Sequence, residues 1–336
     1  MHQAYLYEKD KNKNVRCKLC NHFCLIAEGG KGICGVRINK EGELFTLVYK
    51  KIIAENIDPI EKKPFYHFIP GSRSYSIATL GCNFRCDFCQ NYGISSVSNK
   101  PDDVFDTTEI NIEDIVNSAL KHKCKSISYT YTEPTIFFEM AYDTCRIAKE
   151  NGLKNVFVTN GYMTPDALNM VAPYLDAANV DLKGDENFYK NLCKAHFQPV
   201  VNTIRQMRKL GIWVEVTTLI IPGYNDDKET FDLLAEKLYE IDPDMPWHFS
   251  RFFPVFKMSD HHPTEIEIVH NFREKAIKYG FKYVYAGNIP GNYGGTTFCP
   301  KCEKPAIKRI GYTILEDNTK SGTCNKCGFK LAGIFK

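Results

Sequence analysis

The stretch Gly81-Cys-Asn-Phe-Arg-Cys-Asp-Phe-Cys-Gln90 carries Cys82, Cys86 and Cys89 in a C-x3-C-x2-C spacing. A 4Fe–4S cluster normally takes four thiolates. Three thiolates in one tight loop hold three irons and leave the fourth open. An open iron binds a small molecule directly, so a cluster held this way can do chemistry on that molecule. Phe84 and Phe88 stand between the cysteines, where they would shield such a cluster from water. A three-cysteine zinc site or a set of unrelated thiols is the plainer alternative.

The loop directly follows an apolar run, Ser74–Leu80, that reads as a buried strand. Similar runs follow at Ser126–Tyr129, Asn155–Val158, Ala177–Val180, Trp213–Leu219 and Trp247–Phe249. Each is short and continuous, as buried parallel strands are. Helical stretches lie among them at about 112–122, 135–150, 165–172, 198–209, 227–239 and 264–278. In the last of these, Ile266, Val269, Phe272 and Ala276 give an inward face. Repeated β–α units predict a parallel sheet with right-handed crossovers. The expected fold class is α/β, a partial (β/α)6 barrel of TIM-like type. An open doubly wound sheet is the alternative from pattern alone. A loop leaving the first strand lies at the carboxyl-terminal mouth, where such barrels do their chemistry.

Composition places few limits on this. The chain has 336 residues, 43% hydrophobic and 25% charged, with net charge +3. That is ordinary for a globular protein and too weakly basic to indicate nucleic acid or membrane. No signal-peptide pattern opens the sequence and no apolar run approaches a membrane span. Of the fourteen cysteines, Cys124, Cys145 and Cys193 stand alone, and the other eleven fall into three tight groups. Clustered cysteines without a secretory signal favour metal over disulfides, and so a reducing cytoplasm. The solitary three read as core or ordinary surface thiols.

The triad and its neighbours resemble the radical S-adenosylmethionine (SAM) superfamily. The resemblance implies a partial barrel whose open iron chelates the methionine moiety of SAM. Reductive cleavage then gives methionine and a 5′-deoxyadenosyl radical, which takes hydrogen from a substrate. Later motifs match when laid on the predicted strand ends. Thr132, Glu133 and Pro134 stand where related activating enzymes have a Gly-Gly-Glu-Pro-like turn that meets the amino group of SAM. They also read as a helix start, with Thr132 as cap. Val158-Thr-Asn-Gly161 resembles the SAM-contacting Thr-Asn-Gly segment, so Thr159 and Asn160 are candidates. Val158 replaces the aspartate those enzymes often use to bind a monovalent cation. Asp181-Leu-Lys183 recurs in the activating enzymes, and Lys183 could reach a carboxylate. Glu215 and Thr217 share a strand face aimed at the barrel interior. Ile220-Ile-Pro-Gly-Tyr-Asn-Asp226 resembles a structural loop of the family, with Asn225 or Asp226 as helix cap. His248 matches a SAM-contacting histidine, Arg251 suits an anionic group, and Asn288 falls near the mouth.

Two flanks complete the chain, dividing it into 1–70, a core at 71–294, and 295–336. At the C-terminal side, Cys299-Pro-Lys-Cys302 and Cys324-Asn-Lys-Cys327 are two knuckles 21 residues apart. They read as a zinc ribbon with four thiolates on one ion. At the N-terminal side, Cys17, Cys20, Cys24 and Cys34, with His22 among them, suit zinc or a second 4Fe–4S cluster. Their spacing does not match the bacterial ferredoxin run.

Taken whole, the N-terminal cysteines, triad loop, Tyr-Thr-Glu-Pro turn, Pro246-Trp-His-Phe-Ser-Arg-Phe252 segment and ribbon resemble one group. This is the radical SAM component of the AmmeMemoRadiSam system, often described as pyruvate formate-lyase activating enzyme-like. The resemblance implies Memo-like and AMMECR-type protein partners and a flavodoxin or ferredoxin donor. A glycyl-radical activase is the alternative. An RNA-modifying enzyme gripping nucleic acid with the ribbon lysines, and a non-catalytic metal adaptor, are lesser ones.

Overall fold

The computed structural model describes residues 1–96, 107–291 and 294–336. Its centre is an eight-stranded sheet. In chain order the strands are β1 (Ala54–Pro59), β2 (Arg73–Ala78), β3 (Ser126–Tyr129), β4 (Lys154–Thr159), β5 (Ala177–Asp181), β6 (Trp213–Ile220), β7 (Trp247–Arg251) and β8 (Val284–Gly287). They lie side by side in that same order. From β2 to β8 every pairing is parallel, and β1 runs antiparallel to β2 at one edge.

Each parallel crossover carries one main helix: α1 (Ile112–Lys121), α2 (Phe138–Glu150), α3 (Pro165–Val171), α4 (Phe197–Lys209), α5 (Lys228–Ile241) and α6 (Ile266–Tyr279). The six predicted β/α units are therefore present, with β8 as a seventh parallel strand. Among the described residues the two edges, β1 and β8, are not paired to each other, so the sheet stays open as a partial barrel. β3 reads Ser126-Ile-Ser-Tyr129 and is buried on both faces; its two serines are satisfied there by Ser74 Oγ, at 2.8 Å from Ser126 and 2.6 Å from Ser128. In α1, Ile112, Ile115, Val116 and Ala119 make the inward stripe. Fully burying one such isoleucine contributes roughly 1.5–3 kcal/mol.

Local caps differ from the expected ones. Asp227 caps α5, accepting from Thr230 N at 2.7 Å. Neither Asn225 nor Asp226 does so. Asn225 is buried and ties its own loop to the next, donating to Lys183 O at 2.6 Å and Leu219 O at 2.8 Å. Asp226 accepts from Gly223 N at 2.7 Å inside the turn. Likewise Glu133, not Thr132, caps the short turn Pro134–Phe137, with Pro134 at its first position.

Both flanks are welded to the core. Residues 1–53 form short antiparallel ribbons held by a buried pair, Arg37 to Glu139 of α2, at 2.6 Å. Below the sheet, Ile60, Phe65 and Phe68 pack against Val156, Ala177 and Trp213. From the C-terminal ribbon, Arg309 starts a directional hydrogen-bond chain. Its Nη1 donates to Thr297 Oγ1 (2.9 Å), which bonds Tyr285 Oη (2.8 Å), which in turn bonds His67 Nε2 (2.5 Å). His67 Nδ1 then meets Ala332 O at 2.6 Å. Among the described residues, no helix is long and apolar enough to cross a membrane.

Candidate active site

The triad loop leaves β2 at the carboxyl end of the sheet. A wide turn over Tyr189–Cys193, with i→i+5 bonding, frees two carbonyls to hold it. Arg85 N donates to Cys193 O and Asp87 N to Leu192 O, both at 3.0 Å. Such turns often mark functional sites. Gly81 has φ +95°, and a Cβ there would stand 2.8 Å from Val36 and 3.0 Å from Cys34 O. Only glycine lets the loop lie this close to the N-terminal segment.

Each sulfur has a local partner. Phe84 N points at Cys82 Sγ (3.4 Å), and Cys89 Sγ meets Ser95 Oγ (3.2 Å). Cys86 is turned toward the thiol of Cys193, which raises its pKa, as does burial. Burial also pushes Cys82 and Cys89 up. Three anionic thiolates here therefore need a cation to pair with them. Phe84 and Phe88 are buried, Phe84 against Tyr162 at 5.1 Å and Phe88 against Phe188 at 5.6 Å.

The three cysteines open onto a cavity of about 790 Å³. That lies within the usual range for small-molecule sites. Around it the strands and the loops that follow them supply Thr132 and Glu133, Thr159 and Asn160, Asp181 and Lys183, Thr217, and His248. Glu133 is the organiser of two of these loops. Its buried carboxylate accepts from Thr135 N, Thr135 Oγ1, Thr159 Oγ1 and Asn160 N at 2.5–3.0 Å. Burial raises its pKa, and these donors oppose the rise. Asn160 continues the network to the triad loop through Asn83 Oδ1 at 2.7 Å. Lys183 pairs with Asp181 at 2.6 Å. Burial alone would lower its pKa, but Asp181 and the nearby thiols Cys86 and Cys193 hold it above the usual range. Thr217 Oγ1 bonds Asn179 Oδ1 at 2.8 Å, and Asn288 lines the rim.

Three predicted contacts do not line the cavity. Glu215 does point into the barrel, but it is fully buried beneath the cavity. It accepts from Tyr66 N, His67 N, Trp213 Nε1 and His248 Nε2 at 2.7–3.1 Å. Burial would raise its pKa, yet His248 and these donors bring it below the usual value. Its role is to fix His248, which stacks on Tyr285 at 5.0 Å. Arg251 turns away, donating to Thr264 O at 2.6 Å. Pro134 is buried in its turn.

The turn before Glu133 lacks the glycine pair yet still forms. Tyr131 takes the left-handed conformation, φ +62°, at a cost of roughly 1–2 kcal/mol for an L-residue. Its hydroxyl donates to Asp58 at 2.6 Å, and Lys63 lies 4.2 Å over its ring. Lys63, Tyr131, and Gly311 and Tyr312 of the ribbon are cavity-wall residues that sequence reasoning missed. Tyr131 heads the Tyr-Thr-Glu-Pro turn, but no motif marks the other three, because the wall is built by residues far apart in the chain. Cys193, read as a core or ordinary surface thiol, is buried in the core, where it also backs Cys86.

The donor set fits a 4Fe–4S cluster: three thiols, two aromatic shields, inward N–H groups and an open cavity on the remaining side. An α/β sheet of six β/α units with this loop at its carboxyl end defines a class, and the family model of the radical SAM superfamily matches residues 76–234 of this chain. The uncharacterized protein MJ0808 of Methanocaldococcus jannaschii is 44% identical over 334 residues, covering 98% of this chain and 99% of that one. The pyruvate formate-lyase-activating enzyme of Staphylococcus aureus is 23% identical, over 66% of this chain and 92% of its own. Among solved structures, a radical SAM methyltransferase from Sphaerobacter thermophilus superposes with TM-score 0.52 at 16% identity, over 66% of this chain and 68% of that one.

At the other end of the chain, Cys299, Cys302, Cys324 and Cys327 have ligand atoms within 4.8 Å of one another. This four-thiol group is able to hold a metal. Among the described residues it is the group of three or more ligating side chains gathered this tightly.

Proposed function

We propose that this protein is a radical SAM enzyme that cleaves SAM reductively and abstracts hydrogen from a substrate, working with Memo-like and AMMECR-type proteins in a reducing cytoplasm. The observation that carries the reading is the convergence of Cys82, Cys86 and Cys89 with five strand-end loops on one 790 Å³ cavity. Bound at the triad, a 4Fe–4S cluster supplies the open iron that chelates SAM and the electron that breaks its C5′–S bond. The chain's own residues do the holding. Lys183, kept charged by Asp181, offsets thiolate charge in the cavity wall. Glu133 fixes Thr159 and Asn160, whose neighbours face the space beside Cys82. His248, anchored by Glu215, lines the cavity. Phe84 and Phe88 keep water from the sulfurs.

Anaerobically reconstituted protein, given dithionite and SAM, should release 5′-deoxyadenosine, and Cys86→Ala should abolish that release. Release undiminished in Cys86→Ala would reject the triad as the site. A second reading, glycyl-radical activase, draws support from the Staphylococcus aureus relative. A glycine-centred radical appearing on an added glycyl radical enzyme would favour it. The ribbon's Gly311 and Tyr312 form part of the cavity wall, which supports the first reading. For the C-terminal group we propose zinc. A tetrahedral ion with ~2.3 Å bonds sets sulfurs ~3.8 Å apart, and the Cys299–Cys327 and Cys302–Cys324 sulfurs stand at 3.6 and 3.8 Å.

A further inference from the structure

Cys17, Cys20, Cys24 and Cys34 surround a second cavity, of about 20 Å³. That exceeds the roughly 10–15 Å³ a single water needs, although the lining is almost wholly apolar apart from the thiols, His22 and Arg37. Gly32 forms part of the cradle. A Cβ there would meet Cys24 Sγ at 3.8 Å, Cys34 Sγ at 3.9 Å and Ile26 at 3.3 Å.

One buried side chain points to an anion inside this ring. Arg37 lines this cavity, is 1% exposed, and spends one nitrogen on Glu139. Its Nε and Nη1 find no acceptor among the described residues. A buried guanidinium with two idle donors is costly unless an anion completes it. A four-thiolate metal centre carries the negative charge that does so.

The spacing discriminates between metals. The C-terminal sulfurs close to single-ion distances, whereas the N-terminal four are not gathered within 4.8 Å and ring a void. On one ion, four sulfurs must crowd together. On a cubane each caps a separate iron, and they stand farther apart. The cage also abuts the triad loop. His22 Nε2 bonds Asn83 O at 2.8 Å, Arg85 bonds both Cys82 O and Ile33 O, and Gly81 packs on Cys34 O.

We propose that Cys17, Cys20, Cys24 and Cys34 bind a second 4Fe–4S cluster, saturated by thiolates and steadied by Arg37, which relays electrons to the triad. A one-electron donor protein of the flavin or iron–sulfur class reduces it. The same single electron passes on, with no bond made or broken. The relay rests on the reading that the triad holds the SAM-binding cluster; the cluster itself does not.

The test is to reconstitute Cys82→Ala/Cys86→Ala/Cys89→Ala anaerobically with iron and sulfide. It should retain about four irons per chain and, when reduced, a paramagnetic signal that SAM does not alter. A chain with no iron and a second equivalent of zinc would overturn the proposal. Should that variant not fold, Cys17→Ser/Cys34→Ser should fall from about eight irons to about four and keep only the SAM-sensitive signal; unchanged iron would overturn the site. In the same variant, freeze-quenched reduction of the triad signal by reduced flavodoxin should slow by an order of magnitude, and an unchanged rate would overturn the relay. If the triad reading is what fails, the wild-type protein will hold one cluster that ignores SAM. If the second site fails, it will hold one that responds.

Discussion

The N-terminal and C-terminal cysteine groups offer the same four thiols and are built in opposite ways. The C-terminal sulfurs already stand close together. The N-terminal four ring a void, and burial pushes Cys17 up to about 11. A site of the first kind takes one ion. A site of the second kind must be completed by a charged centre and a buried cation. Counting cysteines could not separate them; spacing and surroundings do.

The largest effect should come from the C-terminal side. Structural zinc in small modules carries apparent binding energies of about 10–16 kcal/mol. Cys302→Ala should therefore lose one zinc, lower the melting temperature steeply and open the cavity wall at Gly311 and Tyr312, as read by metal analysis and calorimetry. Retained zinc and an unmoved transition would erase the contrast between the two cages.

Arg37→Met probes the N-terminal side. It leaves Glu139 buried without its cation, a loss of about 3–5 kcal/mol, and removes the cage's counter-charge. Iron should fall while zinc stays at one per chain, measured by elemental analysis beside a urea titration. Equal loss of both metals would mean the cages are not independent.

A third prediction concerns pH and the ribbon's seat. His67 is held neutral, its pKa lowered from 6.5 to about 4, chiefly by burial. Protonation would force a second donor against the Tyr285 hydroxyl. The unfolded chain binds more protons between those values, so this stability is complete above about pH 6.5 and drains away as pH falls toward 4. The full span is on the order of 3 kcal/mol. His67→Gln should flatten that slope in denaturant midpoints taken across the window.

The smallest effect is Gly32→Val, which should overfill the N-terminal cradle at a cost of roughly 1–3 kcal/mol. Lower iron retention with an unchanged ribbon would sharpen the comparison. Full iron retention would show that the cage expands.

Much of this molecule can be read from its chain, for definite reasons. Strand β4 is legible through its unbroken apolar run Val156-Phe-Val158, although β3, Ser-Ile-Ser-Tyr, is the one buried throughout. The triad, Thr159, Asn160 and Lys183 occupy strand ends, and topology brings strand ends together. What escaped reading depends on tertiary partners. β1 is Ala-Glu-Asn-Ile-Asp-Pro, a polar edge strand with partly exposed residues and no periodic signature. Glu215 was correctly aimed inward, but its donors come from Tyr66 and His67, nearly 150 residues away. Arg251 carries a suitable charge, yet a carbonyl at Thr264 claims it. Tyr131 substitutes for glycine only because Asp58 and Lys63 wait on the far side of the turn.

The bond from Ile334 N to His67 O, at 2.8 Å, spans most of the chain. Contacts of such sequence separation form late and slowly. On the ribosome, the sheet can be laid down strand by strand, since neighbours in space are neighbours in sequence. The floor at His67–Ile69, however, must wait for residues near 334 to emerge. An emerging chain would thus hold its β/α units in place while the base stays unsealed, and any premature stop within the ribbon would strand it there.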